Sequence, residues 1–308
     1  MRPITSLCFW FWTFEKMNLF SLKSLTRMRA LPSLLAVLLL AGCSALQLGY
    51  RNADTFLAWT VNDFFDLDHG QKEMLKPGIE SLLAWHRTEQ LPDYARFLDA
   101  IQARLGGPVT HADVNWLMDE ARGRYLTAVE RAVAEGAPVL AKLTPHQIDE
   151  LEQRLKKENT KFADKYLKDD LAKRQKDRAE RFIDNTEYWV GLLSDEQEKR
   201  IHEIAAEGAT GYAQRLAERQ RVQREMLAIL REDNNAASLV PKLKAWIANW
   251  EGGRSAEARQ AFTRAGEQTL RMMLAVTDTL GAQQREHAQK RLRSYAEDMC
   301  KLAAMQVS

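Results

Sequence analysis

Apolar residues recur at steps of three and four along most of the chain, and this spacing restricts the possible folds more than any other feature. One such series is Leu91, Tyr94, Leu98, Ile101 and Leu105, and another is Leu292, Tyr295, Met299 and Leu302. Residues with this spacing form one face of an amphipathic helix. We find no alternating apolar and polar run bounded by turn residues, which would indicate a strand. The sequence therefore predicts an all-α protein.

Turn-forming residues divide the helical pattern into about seven or eight amphipathic helices, which we expect to pack as an elongated multi-helix bundle. The predicted breaks lie at Pro77-Gly78, Gly106-Gly107-Pro108, Gly136-Ala137-Pro138, Asn234-Asn235, Pro241 and Gly252-Gly253. Residues 150–181 form the most charged stretch, with acidic and basic residues interspersed. Such mixing is typical of a solvated helix face with ion pairs four residues apart.

The segment from Leu31 to Leu40 has the properties of an export signal. It is apolar, it follows the basic residues Lys23, Arg27 and Arg29, and small residues come after it. This order of basic, apolar and small residues is typical of a secretory signal. A helix of this length rises roughly 15 Å, whereas a bilayer core is about 30 Å thick. We therefore expect the segment to direct export rather than to span a membrane.

The residues that follow carry a resemblance. Leu40-Ala41-Gly42-Cys43 resembles a bacterial lipobox. The resemblance implies a diacylglyceryl thioether on the Cys43 sulfur, cleavage before Cys43, and acylation of the new amino group by a fatty acid such as palmitate. Because Ser44 is not aspartate, it also implies the outer membrane of a Gram-negative envelope, with the protein facing the periplasm. The membrane would then be a partner through the lipid on Cys43.

These features divide the chain into a signal peptide (1–42), a lipid-anchored tether (43–49) and an all-helical domain (50–308). Signal peptides usually have about 15–30 residues, but 42 residues precede Cys43. We therefore expect translation to begin at Met17 or Met28. Loss of residues 1–42 removes five basic residues and one acidic residue, which leaves 39 basic and 41 acidic residues and a formal charge of −2. Nucleic-acid-binding domains normally show a marked basic excess, so no nucleic-acid partner is expected.

A five-residue pattern, Leu-x-x-x-Gln, occurs four times at expected helix starts. The copies begin at Leu67, Leu143, Leu193 and Leu280 and end at Gln71, Gln147, Gln197 and Gln284. In the second and third copies, Thr144 and Ser194 lie three residues before the glutamine, as in a capping box. The hydroxyl would accept from the glutamine's amide, and the glutamine side chain would accept from the amide of the cap residue. The first copy offers Asp68 as a cap, whereas Gly281 in the fourth has no side chain.

Two resemblances to known families rest on these residues. Leu143-Thr144-Pro145-His146-Gln147 is similar to the Leu-Thr-x-x-Gln motif of the periplasmic Spy and CpxP group, and residues 193–197 differ from that motif by one substitution. The group consists of small all-helical envelope proteins, some of which act as ATP-independent chaperones on a concave helical surface. The lipobox, Asn52-Ala53-Asp54 with Trp59, and residues 188–197 resemble proteobacterial lipoproteins grouped only as a domain of unknown function. That resemblance implies no catalytic residues.

No motif in the sequence indicates enzymatic chemistry. The six histidines are scattered, and His202-Glu203 lacks the second histidine of a zinc-protease helix. His69 with Glu73 and His146 with Glu150 are spaced like metal ligands on a helix, but two ligands do not form a site. No glycine-rich phosphate loop or nucleophile elbow is present. We therefore expect a non-enzymatic protein with no metal, other cofactor or small-molecule substrate; an enzyme with a dispersed active site is the remaining alternative.

The aromatic residues and the last cysteine give three further expectations. Trp246 and Trp250 share one helix face, which predicts a place in the core. Trp59, close after Cys43, is the better candidate for contact with lipid. Cys300 is the one cysteine after Cys43, and we expect it to be a small buried apolar residue, with a disulfide to another chain as the alternative.

Taken together, these observations predict a lipid-anchored envelope protein that binds other macromolecules. It would be either a protein-binding or chaperone-like module, or a structural or adaptor lipoprotein with one dedicated partner in an envelope complex. A chaperone predicts an exposed concave surface that mixes basic and apolar residues, whereas an adaptor predicts one compact patch. An enzyme predicts a deep pocket with convergent polar groups.

Overall fold

The computed structural model describes residues 45–208 and 211–305, so the predicted signal peptide and Cys43 lie outside the described residues. Within these two ranges every regular element is a helix, which confirms the all-α class. The helices are α1 (Ala45–Arg51), α2 (Ala53–Phe65), α3 (His69–Trp85), α4 (Leu91–Arg104), α5 (His111–Leu140), α6 (Pro145–Tyr166), α7 (Leu171–Val190), α8 (Asp195–Ala206), α9 (Tyr212–Glu232), α10 (Ala236–Asn249), α11 (Ala256–Thr277) and α12 (Ala282–Ala304). A π-helical turn, His86–Gln90, joins α3 to α4 without a break. None of the described helices is long and apolar enough to cross a membrane.

The prediction of seven or eight helices is too low. The described residues form eleven helices when the continuous α3, π-helical turn and α4 are counted as one. The breaks expected at Pro77, Pro138 and Pro241 are wrong, because α3, α5 and α10 run through these residues. A proline removes one hydrogen bond from a helix, and packing of the flanking turns offsets that loss here. Several actual helix starts are instead marked by capping side chains, such as Asp170 at the start of α7.

Gly78, which was expected to break a helix, lets α3 lie close against α5. A Cβ atom at position 78 would be 2.6 Å from the backbone oxygen of Glu135. One turn further along α3, the Ser81 hydroxyl donates to the Glu135 carboxylate at 2.7 Å. Arg131 pairs with the same carboxylate at 2.6 Å. The close approach is therefore held by polar contacts, and no side-chain rotation can make room for a larger residue.

Gly78→Ala is expected to lower the free energy of unfolding by about 1–3 kcal/mol, because the added methyl group forces α3 and α5 apart. Helix propensity alone would predict an increase in the free energy of unfolding, because alanine is more favourable than glycine in a helix by about 1 kcal/mol. Urea unfolding measures the change. Gly123→Ala in α5 is the matched control, because a Cβ atom there meets nothing within 4 Å. Equal stabilisation by both substitutions would contradict the close approach.

Two apolar clusters form most of the core in the described residues. The larger cluster lies among α3, α5, α6, α9 and α10, with Leu151 and Leu239 at its centre. The second lies among α7, α8 and α11, with Ile201 and Met272 almost completely buried. Trp250 is buried and Trp246 packs against the larger cluster, which confirms their expected place in the core.

The two helices with the most regular apolar spacing, α4 and α12, pack along each other. Arg285 in the first turn of α12 donates to the carbonyl oxygen of Leu105, just after α4, at 3.2 Å. The end of α4 therefore lies beside the start of α12, and the two helices run in opposite directions. Their buried residues include Leu91, Leu292 and Leu302. The pairing joins an early helix of the chain to the last one.

The segment expected to be a tether, 43–49, is helical from Ala45 and packs against α12. Gln47 is 4% exposed, and its amide donates to the Asp298 carboxylate at 2.9 Å. The Tyr50 hydroxyl lies 3.0 Å from Nδ1 of His86. Burial lowers the pKa of His86, which favours the neutral ring and allows Nδ1 to accept from Tyr50. The helix thus begins two residues after Cys43, and Gln47, four residues after it, is already docked on α12.

Two further surface expectations have different outcomes. Ion pairs in the charged stretch 150–181 are present, including Lys156 with Glu152 at 2.7 Å. The expectation that Cys300 is buried is wrong, because its side chain is exposed. The buried Leu302 lies two residues after Cys300, which places the two side chains on opposite sides of α12.

Candidate functional site

The four Leu-x-x-x-Gln copies lie at the starts of α3, α6, α8 and α12. At the start of α6, the Thr144 hydroxyl accepts from the amide of Gln147 at 3.2 Å, and the Gln147 side chain accepts from the amide of Thr144 at 2.9 Å. The same two bonds join Ser194 and Gln197 at the start of α8. Each bond satisfies a helix-start amide that has no partner within its own helix.

The two outer copies differ from each other. Asp68 and Gln71 form a complete capping box at the start of α3, with bonds of 2.8 and 2.9 Å. At the start of α12, the Gln284 side chain accepts from the amide of Gly281 at 3.0 Å. Gly281 has no side chain to return a bond, so α12 has only half of the box. The first copy therefore fits the capping motif better than its sequence suggests.

The first two copies contact each other through their glutamines. The Gln71 amide donates to the Gln147 side-chain oxygen at 2.9 Å, and the Gln147 amide donates to the Gln71 oxygen at 2.7 Å. Gln71 also donates to the backbone oxygen of Lys142, and Gln147 to that of Asp66, both at 2.8 Å. Lys142 and Asp66 each directly precede the leucine of the opposite copy. The arrangement is therefore symmetric, with each glutamine binding the loop that leads into the other helix.

The last two copies form the same arrangement. Gln197 and Gln284 exchange amide hydrogen bonds of 3.2 and 2.9 Å. Gln197 also donates to the backbone oxygen of Thr279 at 3.2 Å, and Gln284 to that of Leu192 at 2.8 Å. Thr279 and Leu192 again directly precede the opposite leucines. The chain thus has two paired-glutamine sites, one beside each large apolar cluster.

Thr144→Ala is expected to lower the free energy of unfolding by about 1 kcal/mol, because it removes the bond to the Gln147 amide. Thr127→Ala is the control: this exposed residue bonds only to the Gly123 carbonyl of its own helix, and we expect a change of less than about 0.5 kcal/mol. Thermal and urea unfolding both report the difference. A Thr144→Ala protein as stable as the native one would mean that the bond contributes nothing to stability.

The two paired-glutamine sites differ in exposure. Gln71 and Gln147 are 4% and 8% exposed, so the first site is enclosed. The second site borders an open cleft of about 540 Å³. The cleft is lined by Leu192, Leu193, Ser194, Gln197, Thr279 and the first residues of α12. Leu192 is 83% exposed, the most exposed large apolar residue of the described chain. Gln197 is also buried, at 5% exposed, but Gln284 is partly exposed, so other molecules can reach the second site from the side of α12.

The end of α7 adds two aromatic side chains beside this cleft. Tyr188 and Trp189 are 43% and 38% exposed. The helix ends at Gly191, whose φ of 83° is a left-handed value that favours glycine. The Glu187 carboxylate accepts from the amide of Leu193 at 2.9 Å and holds the turn. This sharp exit from the helix leaves Leu192 on the outside.

The adjoining face of α12 is basic and aromatic. The Arg291 guanidinium lies 3.6 Å from the centre of the Tyr188 ring. A second cleft, of about 380 Å³, is lined by Leu46, His287, Lys290, Arg291, Ser294, Tyr295 and Asp298. Gly191 lies against the His287 ring, so the two clefts are neighbours. We call Tyr188, Trp189, Leu192, Lys290 and Arg291 the α7–α12 patch.

A hydrogen bond between Tyr188 and Tyr295 crosses the middle of the patch. Burial raises the pKa of Tyr188, but its hydrogen bonds with Arg291 and Tyr295 and the charge of Arg291 outweigh burial and hold that pKa below its ordinary value. Burial and the bond with Tyr188 raise the pKa of Tyr295 to about 12. The patch therefore includes a polar bond between two of its aromatic side chains.

The sequence-predicted histidine pairs do not gain further ligands. His69 with Glu73 and His146 with Glu150 are exposed at the starts of α3 and α6. Among the described residues, no group of three or more potential ligands could hold a metal ion. The sequence analysis did not predict the patch. One signal for it exists: the apolar residues Trp189, Val190, Leu192 and Leu193 continue past Gly191, where α7 ends.

The comparisons with known proteins identify a family but no activity. No curated protein and no solved structure matches the chain. A family model matches residues 63–252, from the end of α2 to the loop after α10. This range covers more than half of the chain and three of the four motif copies, whereas α12 lies beyond it. The chain therefore belongs to DUF6279, a family of unknown function.

Proposed function

We propose that the mature protein is a non-enzymatic lipoprotein, anchored through Cys43 to the outer membrane, that binds a polypeptide partner in the periplasm. The exposed α7–α12 patch is the observation that carries the binding part of this proposal. The export signal and the Leu40-Ala41-Gly42-Cys43 sequence support the anchor and its location. Each part can fail without the other, and each has its own test.

The chemistry of the patch fits a polypeptide. Large apolar and aromatic side chains that stay exposed beside cationic groups are typical of protein-binding surfaces. Leu192 and Trp189 would insert among apolar side chains of the partner, and Lys290 and Arg291 would face acidic ones. Arginine and tryptophan are also among the residues that most often dominate binding energy. We therefore infer an apolar partner segment flanked by acidic residues.

A dedicated partner fits better than a broad range of unfolded clients. The patch is compact and occupies one end of α7 and one face of α12. The glutamines of the Leu-x-x-x-Gln copies, which suggest the Spy and CpxP group, bond to each other and to helix starts. The motif therefore has a structural role that requires no client. Chaperone activity is the second candidate, supported by the sequence similarity of residues 143–147 to that group.

Site-specific photo-crosslinking in cells tests the dedicated partner. A photoreactive residue at position 192 is expected to give one discrete protein adduct, which Arg291→Glu removes because it cancels the net positive charge of the patch. Position 171 is the matched control: Leu171 is also an exposed leucine, 43% accessible, but lies at the opposite end of α7. Adducts of the same masses from positions 192 and 171, or no adduct from 192, would refute the patch as the binding site.

Light scattering of denatured clients tests the chaperone candidate. The purified protein is mixed with two unrelated unfolded proteins, without ATP. A dedicated binder should leave their aggregation unchanged at a severalfold molar excess. Suppression at near-stoichiometric ratios that is lost in Leu192→Asp would instead favour a chaperone that uses the same patch. Suppression that survives this substitution would place client binding elsewhere.

A further inference from the structure

A second exposed apolar surface lies on the first two helices. Leu48, Phe56 and Trp59 are 62%, 51% and 64% exposed. They account for three of the eight large apolar side chains that are exposed in the described residues. None of the three belongs to the α7–α12 patch, so this surface requires an explanation of its own.

The three side chains share one side of a nearly continuous helical path. Asn52 separates α1 from α2, but its side-chain amide donates to the Leu48 carbonyl at 3.1 Å, and its own carbonyl accepts from the Phe56 amide at 3.0 Å. The backbone of Asn52 itself, with φ −111° and ψ 16°, departs from helical values, so the path bends there, but the two bonds keep α2 close to the course of α1. Leu48, Asn52, Phe56 and Trp59 follow one another at steps of four, four and three residues, which places them on one face. We call these four residues the α1–α2 face.

The opposite side of the same helices is attached to the protein. Gln47 bonds to Asp298 of α12, and Tyr50 contacts His86. In α2, Leu57, Val61 and Phe65 pack against the larger apolar cluster. The two helices therefore cannot turn the α1–α2 face inward without giving up these contacts. Its apolar side chains remain available to whatever lies next to the helices.

We propose that the α1–α2 face lies against the surface of the lipid bilayer that holds the anchor. This inference rests on the proposed lipidation of Cys43. A single residue, Ser44, separates Cys43 from the first turn of α1. At helical rise, Leu48 is about 10 Å and Trp59 about 25 Å from Cys43 along the chain. The face is therefore held where lipid head groups meet acyl chains.

The composition of the face fits that position. The exposed polar residues between Leu48 and Trp59 on this side are the uncharged Asn52 and Thr55 and, at the edge, Arg51, a cation of the kind that interfacial helices carry beside their apolar face. Interfacial helices place an apolar face roughly 5–10 Å into the boundary between head groups and acyl chains. Tryptophan is suited to this boundary because its ring is apolar and its N–H can still reach water or a head group. The lipid surface is thus a better match than a charged protein partner.

Photo-crosslinking to lipid tests this orientation. The full chain, purified from bacterial membranes, is reconstituted in vesicles of phosphatidylethanolamine and phosphatidylglycerol that contain a trace of radiolabelled lipid. Photoreactive residues at positions 56 and 59 are expected to give lipid adducts at least about tenfold above those from position 203, an exposed site on α8. Protein adducts at 56 and 59, or lipid adducts no stronger than at 203, would overturn the proposal.

A second measurement separates this face from the anchor itself. Mass spectrometry of the same preparation reports the lipid on Cys43. A lipidated protein without lipid adducts at 56 and 59 refutes the face and leaves the anchor intact. If Cys43 is unmodified, flotation with the vesicles tests the face instead. The fraction of the native chain that floats should be at least about tenfold larger than that of the variant Leu48→Gln, Phe56→Gln, Trp59→Gln. Equal flotation of two chains with the same circular dichroism spectrum would refute the face.

Discussion

Cys43→Ala is expected to move the protein almost completely from the membrane fraction to the soluble fraction and to abolish incorporation of labelled palmitate. The physical reason is the size of the anchor: each buried CH₂ group contributes about 0.8 kcal/mol, so two or more acyl chains hold far more firmly than the three apolar side chains of the α1–α2 face. Metabolic labelling and fractionation measure the two effects separately.

Cys300→Ala is the matched control for this experiment. Cys300 is an exposed thiol on the last helix, and its loss should change neither labelling nor fractionation. A Cys43→Ala protein that still incorporates palmitate and still pellets with membranes would refute the lipoprotein assignment. Density-gradient separation tests the location: material found only in the inner membrane would refute the outer-membrane proposal and leave the anchor in place.

Gln147→Leu is expected to lower the free energy of unfolding by about 2–4 kcal/mol. The Gln147 side chain accepts from Thr144 and Gln71 and donates to Gln71 and to the Asp66 carbonyl. Leucine has a similar volume but can make none of these bonds. Each buried polar group left without a partner costs about 1–3 kcal/mol, and the buried site gives water little access to replace the lost amide. Urea unfolding measures the change.

Gln284→Leu provides the comparison in the second paired-glutamine site. The bonding pattern is the same, but Gln284 is itself partly exposed beside an open cleft, and water can reach the Leu192 carbonyl that it leaves behind. We expect a loss of about 1 kcal/mol. A double-mutant cycle then tests the pairing itself: Gln71→Leu with Gln147→Leu should cost clearly less than the sum of the single losses, because both partners become apolar. Additive losses would contradict direct coupling.

Much of the fold could be predicted from the sequence because its signals are local. The three-and-four spacing at Leu91 and Leu292 indicated helices, and α4 and α12 carry these residues. The hydroxyls of Thr144 and Ser194 indicated capping boxes, whose bonds span only three residues. The breaks at prolines failed for a different reason. Whether a helix continues through Pro77 depends on what packs against it, which the local sequence does not contain.

The candidate site was less accessible to sequence reasoning because it depends on distant contacts. The pairing of Gln71 with Gln147, and of Gln197 with Gln284, joins residues 76 and 87 positions apart. The sequence of one motif copy indicates only its own helix start, so it does not reveal which other glutamine its own glutamine contacts. The exposure of Leu192 likewise follows from the turn at Gly191 and the position of α12. By contrast, the sequence alone indicates Trp59 as a candidate for contact with lipid, because its nearness to Cys43 is a property of the sequence.

The antiparallel packing of α4 on α12 has a practical consequence for where this protein can be cut. The family match ends at Gly252, and a fragment trimmed to that boundary would lack α11 and α12. The apolar face of α4 would then be exposed to water. The apolar residues of α7 and α8 that form the second cluster with Met272 would be exposed as well. Contiguous apolar surfaces that are exposed in this way promote aggregation. The smallest stable fragment should therefore reach Leu302, well beyond the part of the chain by which the family is recognised.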